Sequence, residues 1–314
     1  MTEPGFDMLP RVVIIILNWN GKDDTSECLE SLNALTYSNY EIIVVDNGST
    51  DGSQRYIKEK YPQVLLMETG QNLGFTGGNN RGITAALQKN ADYVLLLNND
   101  TVVDGQFLDE LVFAGESRKD VGILNPKIYY YDEPRLLWYA GGNISLLQGL
   151  SRHFGFQEID HGQYDTTREV NFITGCAFLI KREVIEKIGP LDDNFFCYSE
   201  DADWSLRAIK AGYKGLYVPS SRIWHKIGIS ANVKGTEFSM HMGTRNALYL
   251  EYKHASRMQF ASFLLVFSVN WLLRNAVKSL LNHDYPAMRG MYTGVTAFWS
   301  MPNKQRYRVT RSEG

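Results

Sequence analysis

Four polar clusters in this chain combine residue types that could do chemistry. The densest is Ser199-Glu200-Asp201-Ala202-Asp203-Trp204, with three carboxylates in four residues. Repulsion among them raises at least one pKa, which suits a general base. A helix N-terminus also favours acids, so a plain cap is the structural alternative. Phe195, Phe196, Tyr198 and Trp204 around the acids tilt the reading toward a pocket. Asn98-Asn99-Asp100 closes an apolar run. A carboxylate there can hold Mg2+ or Mn2+ against a diphosphate, because hard divalent cations take a few carboxylates plus phosphate oxygens. One Asp needs further ligands, and His225 is a candidate. A helix cap for Asp100 and a packed structural imidazole for His225 are the plain alternatives.

Two more clusters follow apolar runs. Asp46-Asn47-Gly48-Ser49 offers a carboxylate that can accept from a base N–H or a ribose hydroxyl, or that simply caps the next helix. The segment 72–80, from Asn72 through Gly77 to Asn79 and Asn80, is glycine-rich. Glycines let backbone N–H groups approach a phosphate at a helix N-terminus. The match to a dinucleotide fingerprint is poor, which argues against a dinucleotide-dependent oxidoreductase.

These clusters sit at the ends of predicted strands. Residues 11–17 form a β-branched run, as in a strand buried on both faces. Helical spacing follows over 23–35, then a strand over 41–45, a helix over 54–60 and a strand over 63–68. A glycine-rich loop over 74–80, a helix over 81–89 and a strand over 93–97 complete the half. Alternating strands and helices predict a parallel sheet covered by helices, with ligands beyond the carboxyl ends of its strands. The later half predicts hairpins or loops near 129–131, 138–142 and 153–156. Strands follow over 172–180, 215–218 and 222–224, and helices over 182–188 and 201–211. Beyond Thr236 the pattern is mostly helical.

The chain has 314 residues, 44% hydrophobic and 21% charged, a globular composition. Three scattered cysteines exclude a disulfide framework or a zinc site and suit a reducing compartment. The net charge of −3 does not suit a nucleic-acid coat. Charge is uneven, however. Residues 253–314 hold nine basic and two acidic side chains, +7, leaving −10 on the rest. The first ten residues lack the pattern of a signal peptide. The apolar run 260–273 has fourteen residues, short of the roughly 20 a spanning helix needs. It is expected as a buried or interfacial helix. With Arg274 and Lys278 beside it, it suits an anionic membrane surface; packing on the rest of the chain or on a second copy is the alternative.

Together and in this order, over residues 12–227, the clusters resemble the inverting nucleotide-sugar glycosyltransferases of family 2, above all rhamnosyltransferase-like and galactofuranosyltransferase-like members. The resemblance implies a GT-A fold, a mixed, mostly parallel α/β sheet flanked by helices. It implies a catalytic domain over 1–235 (nucleotide half 10–105, acceptor half 106–235) and a helical extension over 236–314. Asn18, Trp19, Asn20, Asp46, Asn47, Asn72, Gly77, Asn79, Asn98, Asn99, Trp204 and Arg207 would face the nucleotide donor. Asp100 and His225 would hold the Mg2+ or Mn2+. Asp201, with Glu200, would be the catalytic base, and Thr174, Gly175 and Asp203 would lie on the acceptor side. Asn98 and Asn99 depart from the acidic metal motif and supply no charge. The implied activity is sugar transfer from a nucleoside diphosphate, dTDP-rhamnose by preference or a UDP-hexose, to a glycan or lipid-diphosphate-linked acceptor in cell-surface polysaccharide synthesis. The implied place is the cytoplasm, peripheral on the inner face of the membrane. A non-catalytic nucleotide-sugar-binding or scaffold protein is the rival class.

Overall fold

The computed structural model describes residues 9–226, 236–302 and 304–307. Strands β1 (Val12–Asn18), β2 (Tyr40–Asp46), β3 (Leu65–Glu68) and β4 (Tyr93–Asn98) are parallel, in the order β3-β2-β1-β4. Val12 through Ile16 are fully buried, because helices α1 (Lys22–Leu32), α2 (Ser53–Lys60) and α3 (Gly74–Gln88) cover this part of the sheet.

The glycine-rich segment expected as a loop is the first part of α3. Gly74, Gly78 and Gly82 recur every four residues, so they share one helix face. A Cβ on Gly82 would lie 2.5 Å from Ile15, and one on Gly78 would overlap Leu17. Gly78 and Gly82 serve close approach of helix to sheet, whereas Gly74 lies against Phe196.

Beyond the short β5 (Thr101–Val103) and α4 (Phe107–Glu116), the chain enters β6 (Val121–Tyr130). This ten-residue buried strand was not anticipated beyond its aromatic end, where a hairpin or loop was expected. β7 (Leu137–Tyr139) pairs with it, and β8 (Gly142–Ser145) and β9 (Leu150–His153) form a separate hairpin, as expected. After β10 (Arg168–Val170), β11 (Ala177–Lys181) inserts antiparallel between β4 and β6. The strand expected over 172–180 therefore starts late, and Thr174-Gly175 lie in the turn before it rather than on it. Helices α5 (Arg182–Ile188) and α6 (Glu200–Lys210) follow. The two short strands expected near 215–224 are one, β12 (Lys214–His225), with a register shift between Val218 and Arg222 where Pro219 interrupts pairing. The main sheet runs β10-β12-β6-β11-β4-β1-β2-β3 and so crosses the expected 105/106 division without a break.

The boundary at 235/236 lies outside the described residues at its first side, as do Ile227, Arg308, Arg311 and Glu313. Helices α7 (Thr236–His254), α8 (Arg257–Phe267), α9 (Arg274–Leu281) and α10 (Tyr285–Ser300) complete the described chain. A π-helical turn, Ser268–Leu273, joins α8 to α9, so Arg257–Leu281 is one helix of 25 residues. It is longer than the apolar run suggested, and long and apolar enough to cross a bilayer by length and composition. It is not a buried helix: Met258, Leu265, Val269, Leu273 and Leu281 are exposed. α7 packs backbone-close on α10, where a Cβ on Gly294 would lie 2.5 Å from the His241 carbonyl. Ala202 and Leu206 of α6 share a second apolar core with Leu248, Tyr249, Phe263 and Phe298, while Trp204 and Ala208 belong to the main core. α6 is thus gripped between sheet and C-terminal helices.

Candidate active site

Parallel register brings the polar strand ends together. Asn18 pairs with Asp46, and Leu17 with Asn98. Asn18 Nδ2 donates to Asp46 Oδ2 (2.7 Å), and Asn18 Oδ1 accepts from Thr25 Oγ1 (2.8 Å) and Gly21 N (3.2 Å). Thr25 Oγ1 in turn accepts from Asn99 Nδ2 (3.0 Å). Asp46 Oδ1 takes Ser49 N (3.0 Å) and Gln54 Nε2 (2.8 Å). Asp46 was expected to face the base; at 0% exposure it braces the rim, and no atom of it is open to a ligand in this conformation. Asn18 and Asn47 are buried too. Asn47 fixes the start of α3 by accepting from Leu73 N (3.0 Å) and donating to the Gly74 carbonyl (3.0 Å).

The accessible members of the donor set are Trp19, 49% exposed, with Asn20 and Asn72 exposed and Asn98 and Asn99 partly so. Asn20 Oδ1 accepts from Thr50 N (2.7 Å), which anchors the rim loop. Gly77 and Asn79 lie within α3, and Asn79 is buried with its amide on the Phe75 carbonyl (2.9 Å). Asn79 therefore serves the helix, which corrects its expected place on a ligand loop.

β5 pairs antiparallel with β12, setting His225 opposite Thr101. His225 Nε2 consequently lies 3.1 Å from Asp100 Oδ1 and 3.5 Å from Asn98 Nδ2. Trp138 meets the imidazole edge-on, with ring centres 4.9 Å apart. Burial disfavours the charged imidazole, but Cys176 and Asp100 beside it outweigh burial and raise it to about 10. Asp100 Oδ1 is buried, and among the described residues His225 is its one near donor, without good hydrogen-bond alignment. A carboxylate oxygen and an imidazole nitrogen at this spacing fit a divalent cation taking the place of the proton between them. Among the described residues no three His, Cys, Asp or Glu side chains gather to hold a metal alone, so two protein ligands are what this site offers.

Asp201 reaches the same rim. Its Oδ2 accepts from Gly175 N (2.9 Å) and its Oδ1 from Ala202 N (2.7 Å). The next residue, Cys176, accepts at its carbonyl from Asn98 N (2.9 Å). The Gly175-Cys176 turn thus bonds Asp201 at one end and Asn98, two residues before Asp100, at the other. Burial raises the Asp201 carboxyl, partly offset by the N–H groups of Gly175 and Ala202. Glu200 opens α6 and is buried. Thr174 is buried as well; Asn125 holds its turn by accepting from Thr174 N (3.0 Å).

Three expected ligand contacts are corrected. Asp203 is fully buried, facing Arg207 Nε (2.8 Å), Lys253 Nζ (2.7 Å) and His254 Nε2 (2.7 Å). Arg207 also donates to the carbonyls of Ile188 (2.7 Å) and Pro190 (2.8 Å). Trp204 donates to the Gly189 carbonyl (3.0 Å) and packs on Phe178. All three lie on the buried faces of α6 and tie it to α5 and α7.

Sequence reasoning missed several residues. Phe75 lies beside Gly175 and Asp201: a Cβ on Gly175 would be 3.4 Å from its ring and 3.5 Å from Asp201 Cβ. Thr25, Cys176 and Trp138 touch the expected site from elements with no motif of their own. Asn246, a buried amide inside α7, holds the approach to α6; a polar residue among apolar helix positions was its only signal.

The family described as glycosyl transferase family 2 matches residues 13–189. The chain belongs to that family and is a glycosyltransferase. It is similar to the N-acetylglucosaminyl-diphospho-decaprenol L-rhamnosyltransferase of Mycobacterium tuberculosis, 26% identical over 276 residues, covering 79% of this chain and 86% of that protein. It is similar to the dTDP-rhamnosyl transferase RfbF of Shigella flexneri, 25% identical over 245 residues, covering 76% and 77%. Among solved structures, the mannosyltransferase PcManGT of Pyrobaculum calidifontis, in complex with GDP-Man and Mn2+, superposes with a TM-score of 0.55 at 14% identity, covering 93% and 87%. The mixed sheet flanked by helices is the GT-A-like fold expected, with C-terminal helices added.

Proposed function

We propose that this chain transfers a sugar, L-rhamnose from dTDP-rhamnose in the first instance, to a hydroxyl of a glycan or lipid-diphosphate-linked acceptor, with inversion. The observation that carries this reading is the turn joining Asp201 to Asn98, which lies beside His225 of the Asp100–His225 pair: Gly175 N on Asp201 at 2.9 Å, Cys176 O on Asn98 N at 2.9 Å, and Asn98 Nδ2 3.5 Å from His225 Nε2. The names of the mycobacterial and Shigella relatives support rhamnose and a lipid-linked acceptor.

Asp201 takes the proton of the acceptor hydroxyl. Its raised pKa makes it a stronger base, while the two N–H groups orient it and favour its ionised form. The acceptor oxygen forms its bond to the anomeric carbon on the face opposite the leaving diphosphate, whose oxygen keeps the electron pair of the broken bond. One displacement inverts the centre. Asp100 and His225 would hold Mg2+ or Mn2+, which neutralises charge on the departing diphosphate. Trp19, Asn20, Asn72 and Asn99 would line the nucleotide, held in place by Asn18, Asp46 and Asn47.

Asp201→Asn should abolish transfer while dTDP binding with Mn2+ survives; equal loss of both would make Asp201 structural. Binding of dTDP-rhamnose without release of dTDP would instead favour the scaffold reading. UDP-galactose and GDP-mannose belong in the same panel.

The chain's second contact is with an anionic membrane. Leu265, Val269, Leu273, Val277 and Leu281 form an exposed stripe at four-residue spacing, flanked by exposed Arg274 and Lys278, the arrangement an interfacial helix needs. Flotation with anionic liposomes at low salt tests it; a chain left at the bottom refutes it.

A further inference from the structure

The five residues before Asp201 follow a costly path. Phe196 (φ 62°), Tyr198 (φ 71°) and Ser199 (φ 68°) are all left-handed and none is glycine. Side chains rarely adopt this region, and it persists only where surroundings hold it. The hold comes from α7. Asn246 is fully buried, and its single Nδ2 lies 2.9, 2.7 and 2.8 Å from the carbonyls of Phe195, Cys197 and Tyr198. Arg245 orients that amide, its Nε donating to Asn246 Oδ1 (2.8 Å). Its NH2 group also donates to the carbonyls of Asn194 and Phe195 (2.8 Å each). On the other side, Thr76 N donates to the Phe196 carbonyl (3.2 Å), and a Cβ on Gly74 would lie 2.6 Å from that same oxygen. The turn is clamped between the start of α3 and the middle of α7, and it delivers the chain directly into Glu200-Asp201.

We infer that Asn246, oriented by Arg245, is a positioning residue for Asp201: by gathering three carbonyls it imposes the left-handed turn that aims the carboxylate at the rim shared with Asp100 and His225. The inference rests on Asp201 as the base. It makes α7, outside the family match at 13–189, part of what sets catalytic geometry. Asn246 is fully buried and offers a substrate no surface in this conformation. Its amide has two hydrogens for three acceptors, so a carboxylate of the same shape, which cannot donate, removes the hold without changing volume.

The test is dTDP release from dTDP-rhamnose with Mn2+ for Asn246→Asp, Asn246→Ala and Arg245→Lys, with dTDP affinity by calorimetry and thermal melting alongside. Misplacing a reacting group by about 1 Å costs on the order of 10²-fold, so kcat should fall by about that factor in both Asn246 variants. Donor KM and dTDP affinity should stay unchanged. Adding Ser199→Gly to Asn246→Ala should recover part of kcat, because glycine takes a φ near 68° without being forced. Should the Asn246 variants fail to fold, Arg245→Lys carries the test, since Arg245 is only partly buried and the substitution keeps its charge. It should lower kcat alone. Unchanged kcat, or kcat, KM and melting temperature worsening together with no recovery by Ser199→Gly, overturns the inference. Asp201→Asn run in parallel separates the two readings. Full loss there with normal kcat in the Asn246 variants sinks only the positioning role; retained transfer there removes the base and this inference with it.

Discussion

Asp203→Asn measures how far the C-terminal helices hold α6. Burial alone would raise the Asp203 carboxyl, but Arg207, His254 and Lys253 outweigh it and hold it far below the usual range. Breaking a buried ion pair costs about 3–5 kcal/mol when a charge is left uncompensated. The lower end applies here. Lys253 keeps Asp192 at 2.6 Å, and Arg207 keeps three backbone carbonyls. Burial also pulls His254 below its ordinary pKa, against the pull of Asp203 beside it. At roughly 2–4 °C per kcal/mol, a loss of about 3 kcal/mol lowers the melting temperature by about 6–12 °C. The depressed carboxyl contributes stability above its unfolded pKa of about 3.9 and loses it as pH falls below that. The gap between wild type and variant should therefore be full at pH 7 and close progressively below about pH 4. Melting followed by circular dichroism at both pH values, with donor KM at pH 7, is the assay. An unchanged melting temperature with a raised KM would place Asp203 on substrate and refute the clamp.

Three further outcomes follow from the site. Asp100→Asn and His225→Ala should each weaken the Mn2+ dependence of dTDP binding while metal-free dTDP binding persists; a Mn2+ titration identical to wild type would remove this pair from the metal reading. The raised Asp201 carboxyl must be ionised to act as base, so activity should fall as pH drops, with the acid limb of kcat/KM above the ordinary carboxylate range; a limb absent in wild type would argue against Asp201. Gly74→Ala places a Cβ 2.6 Å from the Phe196 carbonyl at φ 75°. It should cost about 2–5 kcal/mol from left-handed strain plus overpacking, read as a lowered melting temperature.

The sequence by itself determined the strand-helix alternation and the rim. β-branched runs between helical segments suit central parallel strands, and the polar residues that break them then fall at the carboxyl ends. Asp46, Asn98–Asp100 and their neighbours were legible for that reason. Tertiary structure alone decided which polar atoms stay open. Register placed His225 opposite Thr101 and so beside Asp100, a relation over 125 residues that no local spacing encodes. Packing turned Gly78 and Gly82 of α3 toward the sheet and buried Trp204 and Arg207, since a helix spreads neighbouring residues around its axis and only the elements on each side decide which face is lined by ligand. The left-handed turn before Asp201 was also invisible: its residues are not glycines, and the amide that sustains it comes from a helix nearly fifty residues away.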